Sequence, residues 1–204
     1  MKIETANQMR HMALGLLIEA FFGAVWFSIA LSWEGMFSSG YPAAVAVRVC
    51  WLLPVCCLLP AAFWLFKQSG RFPRAQTLPA WRKKLFLIIF TTYSLFGVSA
   101  FVLQRLHLEA YIISVLAIFV GAHFLPEGRL FGNRPMMASG VVMIFWAVAV
   151  MVSLPIAHLA SVTAVGCGLI LWQSAAITLA VALQAAHESG DLLTPLTQPT
   201  PLSE

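Results

Sequence analysis

Apolar residues fall into six long runs separated by polar stretches: Met12 to Leu31, Ala43 to Phe66, Leu85 to Leu103, Ala110 to Leu125, Met136 to Ile156 and Val162 to Ala186. A bilayer core of ~30 Å takes about 20 helical residues to cross, and the runs are of that order. Backbone N–H and C=O groups cannot stay unpaired in hydrocarbon, so unbroken runs predict helices, and the alternation of a β-barrel is absent. The pattern predicts an all-α polytopic membrane protein with six transmembrane helices in a single domain, residues 1–186. The remainder, 187–204, has three prolines, several threonines and no apolar period, which predicts a disordered cytoplasmic tail. The first run follows Arg10 as the core of a signal peptide would, but its length and the presence of Glu19 favour a retained helix.

Composition agrees with this class: 60% of the chain is hydrophobic and 10% charged. A soluble domain is nearer a quarter charged. The net charge of +4 comes from basic residues concentrated in connections. Lys2 and Arg10 precede the first run, Lys67, Arg71, Arg74, Arg82, Lys83 and Lys84 join the second to the third, and Arg129 and Arg134 join the fourth to the fifth. That places ten of the twelve Lys and Arg on one side, leaving Arg105 opposite and Arg48 inside the second run. The positive-inside rule then puts both termini in the cytoplasm, in agreement with six crossings. The six basic residues from Lys67 to Lys84 can meet anionic lipid headgroups, although holding the connection inside is the simpler role. No basic stripe interleaved with aromatics points to nucleic acid. A homo-oligomer is compatible with a chain this small.

The cysteines give no metal or redox signal. Cys50, Cys56, Cys57 and Cys167 lie in apolar runs without a C-x-x-C pair or a histidine at ligand spacing. His187-Glu188 lacks the second histidine of H-E-x-x-H, and G-x-S-x-G is absent. The expectation is no metal and no cofactor, and the missing signatures weigh against an enzyme.

Ionisable residues within apolar runs are the informative positions. Glu19 lies seven residues into the first run, ~10 Å deep at about 1.5 Å per residue. A charge at the centre of an inserted helix costs roughly 2.5–3.5 kcal/mol, so such groups face protein or water. Gly15, Glu19 and Gly23 are spaced four apart, and small residues in that stripe admit a neighbouring helix, which predicts a carboxyl pointing into the bundle. Arg48 is poorly matched to it, because it lies toward the outer end of the second run and leans away. His123 and Arg129, at the inner end of the fourth run, match Glu19 in depth. The three residues form a candidate intramembrane polar site.

The fourth run has sixteen apolar residues, Ala110 to Leu125, or ~24 Å of helix, short of the hydrocarbon thickness. Pro126 removes the usual donor to the Ala122 carbonyl, and Gly128 and Gly132 are expected to loosen the chain beyond it. His123 and Glu127 share a helical face with Phe119, whereas Ser114, Gly121 and Leu125 occupy the opposite one, so His123 has both lipid headgroups and bundle as possible surroundings. Thr91, Thr92, Tyr93, Ser94, Gln173, Ser174 and Thr178 are expected to hydrogen-bond between helices.

The stretch G-x-H-F-x-P-x-x-R-x-F, here Gly121, His123, Phe124, Pro126, Arg129 and Phe131, resembles the signature of a group of small six-helix bacterial inner-membrane proteins of unassigned function. Glu127 stands where members of that group carry an apolar residue. The resemblance implies an architecture and a bacterial inner-membrane location, without a mechanism. Three functional readings follow: a non-catalytic protein whose polar groups pack the bundle or dock a partner, a small proton- or cation-responsive transporter using Glu19, and an enzyme using Glu19 and His123 as an acid/base pair.

Overall fold

The computed structural model describes residues 6–33, 52–69 and 80–192, and their regular elements are all helical. Helices α1 (Ala6–Trp33), α2 (Leu52–Gln68), α3 (Ala80–Arg105), α4 (Ile112–Phe131), α5 (Arg134–Ser153) and α6 (Leu159–Leu192) follow in chain order. Single 3-10 turns at Glu109–Tyr111 and Ile156–His158 lead into α4 and α6. Five segments, Met9–Ser32, Lys83–Arg105, Glu109–Phe131, Arg134–Ser153 and Ile156–Ala185, are long and apolar enough to cross a membrane. The apolar part of α2, Pro54–Gln68, is shorter, and the start of its run, with Arg48 and Cys50, lies outside the described residues. So do Lys2, Arg71 and Arg74.

Two helix ends differ from the sequence expectation. Helix α4 does not stop at Leu125. It continues through Pro126 to Phe131, and its candidate span has 23 residues. The polar residues extend the rod because His123 and Glu127 are buried against protein and need no water at that depth. At the chain's far end, α6 runs past His187 to Leu192, so the first residues of the expected tail are helical and the rest lie outside the described residues.

Neighbouring helices are antiparallel and meet at close range. Helix α1 packs most extensively on α6, α4 on α5, and α2 on α1. Where α4 crosses α5, Gly121 faces Gly140, and a Cβ on Gly121 would come within 2.6 Å of the Gly140 carbonyl oxygen. Two tryptophans use the same economy of space: Trp172 lies over Gly23 and Trp146 over Gly166. Their indole N–H groups donate to the carbonyls of Ala20 and Val162, each at 3.3 Å. Trp172 also stacks on Phe27, with ring centroids 4.4 Å apart.

The turn from α4 to α5 is short and fixed. Gly132 has φ 66°, its N–H donates to the Arg129 carbonyl, and Asn133 N–H donates to that of Gly128 at 2.8 Å. This is the Schellman arrangement, which favours glycine at the left-handed position. Gly128 sits against the Asn133 backbone and Met137. The glycines expected to loosen the chain therefore close a tight turn and admit a neighbour.

Helix α3 stands apart, packing chiefly on α4 with none of its span buried. Phe86, Leu87, Phe90, Val98 and Phe101 are exposed along it. A helix apolar on its outer face is consistent with a multi-pass membrane protein.

The α4–α5 contact yields a direct test. Gly121→Ala should lower the stability of the purified protein by about 1–3 kcal/mol, because the backbone oxygen of Gly140 cannot rotate away. An unchanged unfolding midpoint in detergent would show that the two helices are not that close.

Candidate functional site

Glu19 is the centre of the first polar cluster. Its side chain has no exposure and lies between α1 and α6, where Ser174 Oγ donates to Oε1 at 2.7 Å. The stripe of small residues makes this approach possible, since Trp172 covers Gly23 and the amide of Asn133 lies over Gly15. The second oxygen, Oε2, is buried with no hydrogen-bond partner among the described residues.

Two more buried polar atoms in this part of the bundle, Thr178 Oγ1 and Asn133 Nδ2, lack a partner among the described residues. Their placement follows from the helix register. Ser174 is level with Glu19, and α1 and α6 are antiparallel, so one turn along brings Gly15 level with Thr178. Asn133 reaches the same level from α5, because a Cβ on Gly15 would lie 2.8 Å from its Nδ2. The amide orientation is set by helix capping: Asn133 Oδ1 accepts from Met136 N–H at 3.1 Å, leaving Nδ2 as the inward donor. An acceptor, a donor and a hydroxyl thus lie within about one turn of one another.

A cavity of about 170 Å³ between α5 and α6 reaches this cluster from the side. Its lining is mainly apolar but includes Ser139, Gln173 and Ser174, so the residue that holds Glu19 also borders the cavity. Farther toward the other end of the bundle, Ser114 and Thr163 join α4 to α6 with a buried hydroxyl pair at 2.9 Å.

The second cluster lies on another face of α4. His123 Nε2 is 3.4 Å from Glu127 Oε2, and both side chains are buried. His123 also meets the Phe124 ring edge-on at 4.7 Å and lies 6.5 Å from the ring of Tyr93 on α3. Its Nδ1 is buried with no partner among the described residues. Among the described residues, no group of His, Cys, Asp and Glu is placed to hold a metal ion. Cys167 is buried, while Cys56 and Cys57 are exposed.

The three residues of the candidate polar site therefore have separate surroundings. Glu19 bonds to Ser174 on α6, His123 pairs with Glu127 beside α3, and Arg129 is exposed at the end of α4. The helix-end motif is distributed around one rod: Gly121 meets α5, Phe124 is in the core, Pro126 borders a cleft toward α3, and Phe131 meets His11 of α1 at 5.3 Å. Asn133 was not among the sequence candidates. Asn133-Arg134-Pro135 carries the signal of a helix start, a capping side chain followed by proline, but nothing that marks a buried amide.

The two α6 hydroxyls should respond differently to removal. Ser174→Ala strips Glu19 of its partner and should destabilise the protein by about 1–3 kcal/mol, whereas Thr178→Val removes a hydroxyl without a partner among the described residues and should be neutral or stabilising. Unfolding titrations in mixed micelles distinguish them, and equal losses would contradict the arrangement. No known protein family, curated protein or solved structure matches this chain.

Proposed function

We propose that this is a multi-pass protein of a bacterial inner membrane, with both ends in the cytoplasm, that provides a proton-responsive permeation path through Glu19. The exposed Lys67, Lys83 and Lys84 suit contact with anionic headgroups on the cytoplasmic side. The likeness of the Gly121-to-Phe131 stretch to a group of small six-helix inner-membrane proteins belongs to the same proposal.

The observation that carries the reading is the half-bonded carboxyl. Oε1 of Glu19 is held by Ser174, and Oε2 is buried without a partner among the described residues. If the polar groups only glued helices together, their atoms would pair with one another, as buried polar atoms generally do. Here Glu19 Oε2, Thr178 Oγ1 and Asn133 Nδ2 are left over on neighbouring turns. An intramembrane carboxyl with unused hydrogen-bonding capacity, beside a mainly apolar cavity to which Ser139, Gln173 and Ser174 contribute, suits a group that gains and loses a proton. A bare metal cation is less well served, since the inward group of Asn133 is a donor. The acid/base enzyme reading requires Glu19 and His123 within hydrogen-bond reach, and each has a different partner.

Proteoliposomes loaded with a pH-sensitive dye test this proposal. An imposed pH gradient should collapse faster with the protein than in empty vesicles, and Glu19→Gln should return the rate to that background. A wild-type rate equal to that of empty vesicles, or a Glu19→Gln rate equal to wild type, would overturn it.

A further inference from the structure

Four buried side-chain polar atoms among the described residues have no partner there, and three of them, Glu19 Oε2, Thr178 Oγ1 and Asn133 Nδ2, lie on neighbouring turns where α1, α5 and α6 meet. All three residues are without exposure. Folded proteins pair nearly all of their buried polar atoms, so three orphans in one place need an occupant. The threonine makes the point most sharply. A hydroxyl on a helix can turn back to a carbonyl of its own helix, as those of Ser28, Ser139 and Ser161 do at 3.0, 2.8 and 3.2 Å. Thr178 forgoes that bond.

The chemistry of the three atoms selects what fits among them. Nδ2 is a donor and an ionised Oε2 an acceptor, so in contact they would bond to each other. They do not, and a gap longer than a hydrogen bond separates them. Gly15 keeps space clear beside the amide, since a Cβ there would lie 2.8 Å from Nδ2. The occupant has to accept from Nδ2 and donate to Oε2. An ammonium ion has no lone pair for the amide, a bare metal cation meets the same donor, and chloride has no proton for the carboxylate. Full burial shuts out a larger solute. Water meets each requirement, and three partners is the usual number for a buried one.

We propose that α1, α5 and α6 hold a single buried water that donates to Glu19 Oε2, accepts from Asn133 Nδ2 and bonds to Thr178 Oγ1. The water lies one turn from Glu19 toward the start of α1, where His11 is half-buried and Arg10 exposed. On the reading of Glu19 as a proton-responsive group, on which this second step rests, the same water is the relay to the carboxylate. A proton joins the water oxygen as one of its own passes to Oε2, so the water is unchanged and the carboxylate becomes a carboxyl.

Diffraction from crystals of the full-length protein grown in a lipid mesophase, at a resolution that shows ordered water, tests the site. One density peak should lie at hydrogen-bonding distance from all three atoms. It should be lost in the double variant Asn133→Ser/Thr178→Val, in which serine keeps the cap on α5 and valine keeps the shape of threonine. Direct bonds among the three side chains, an empty gap, or an anomalous peak there after soaking in rubidium would overturn the bound water. The relay is read separately in proteoliposomes, where the double variant should lose most of the Glu19-dependent proton flux. Unchanged flux in that variant would overturn the relay. Absence of flux in the wild type would remove the reading of Glu19 and the relay with it, while the water is judged by density alone.

Discussion

The hydrogen bond from Ser174 to Glu19 ties the opening helix of the chain to the last, and the arrangement of the bundle depends on it. A fully buried carboxyl is tolerable only where neighbours replace water. The small residues one turn to either side make that possible. Gly23 yields its face to Trp172, Gly15 yields to Asn133, and α1 and α6 lie close enough for a serine hydroxyl to reach across. With those two helices in register, the remaining contacts follow. Phe27 lies against Gly168, and Asn133 brings the start of α5 to the same level.

The middle of the bundle repeats one solution in several places. A glycine on one helix receives the body of a side chain or backbone from another. Gly121 and Gly140 approach through backbone alone, while Trp146 over Gly166 and Trp172 over Gly23 each add an indole N–H bond to a carbonyl. Five of the helices are apolar enough to cross a membrane, and for helices in hydrocarbon, where no water drives association, close packing and interhelical hydrogen bonds take over that task. Helix α3 lacks such contacts. It rests on α4 with its aromatic residues facing outward, and the space left between the two helices is the cleft that His123 borders.

Much of this was legible in the sequence, and what was not has physical reasons. Runs of apolar residues mark their own helices because length and composition suffice in a membrane. The Gly15-Glu19-Gly23 stripe marked a face that a helix approaches closely. Its partner could not be read, because nothing local to Ser174 says which helix it faces, and Ser174 and Thr178 looked like any hydroxyls that glue a bundle. The fourth run looks short because Pro126 and Glu127 end its apolar stretch at Leu125, whereas burial of His123 and Glu127 against protein lets the helix continue to Phe131. Asn133 gave only the signal of a cap, and its second role depends on Gly15, 118 positions away in the chain. Depth alone suggested that Glu19 and His123 belong together. The directions in which helical side chains project decide otherwise.

The central claim is that Glu19 and Ser174 are energetic partners inside the bundle. A double-mutant cycle combining Glu19→Ala with Ser174→Ala, read by reversible unfolding in mixed micelles, measures this directly. The structure predicts a coupling energy of at least about 1 kcal/mol between the two sites. Additive effects, within about 0.3–0.5 kcal/mol, would show that the carboxyl lies elsewhere and would remove the basis for a path through it.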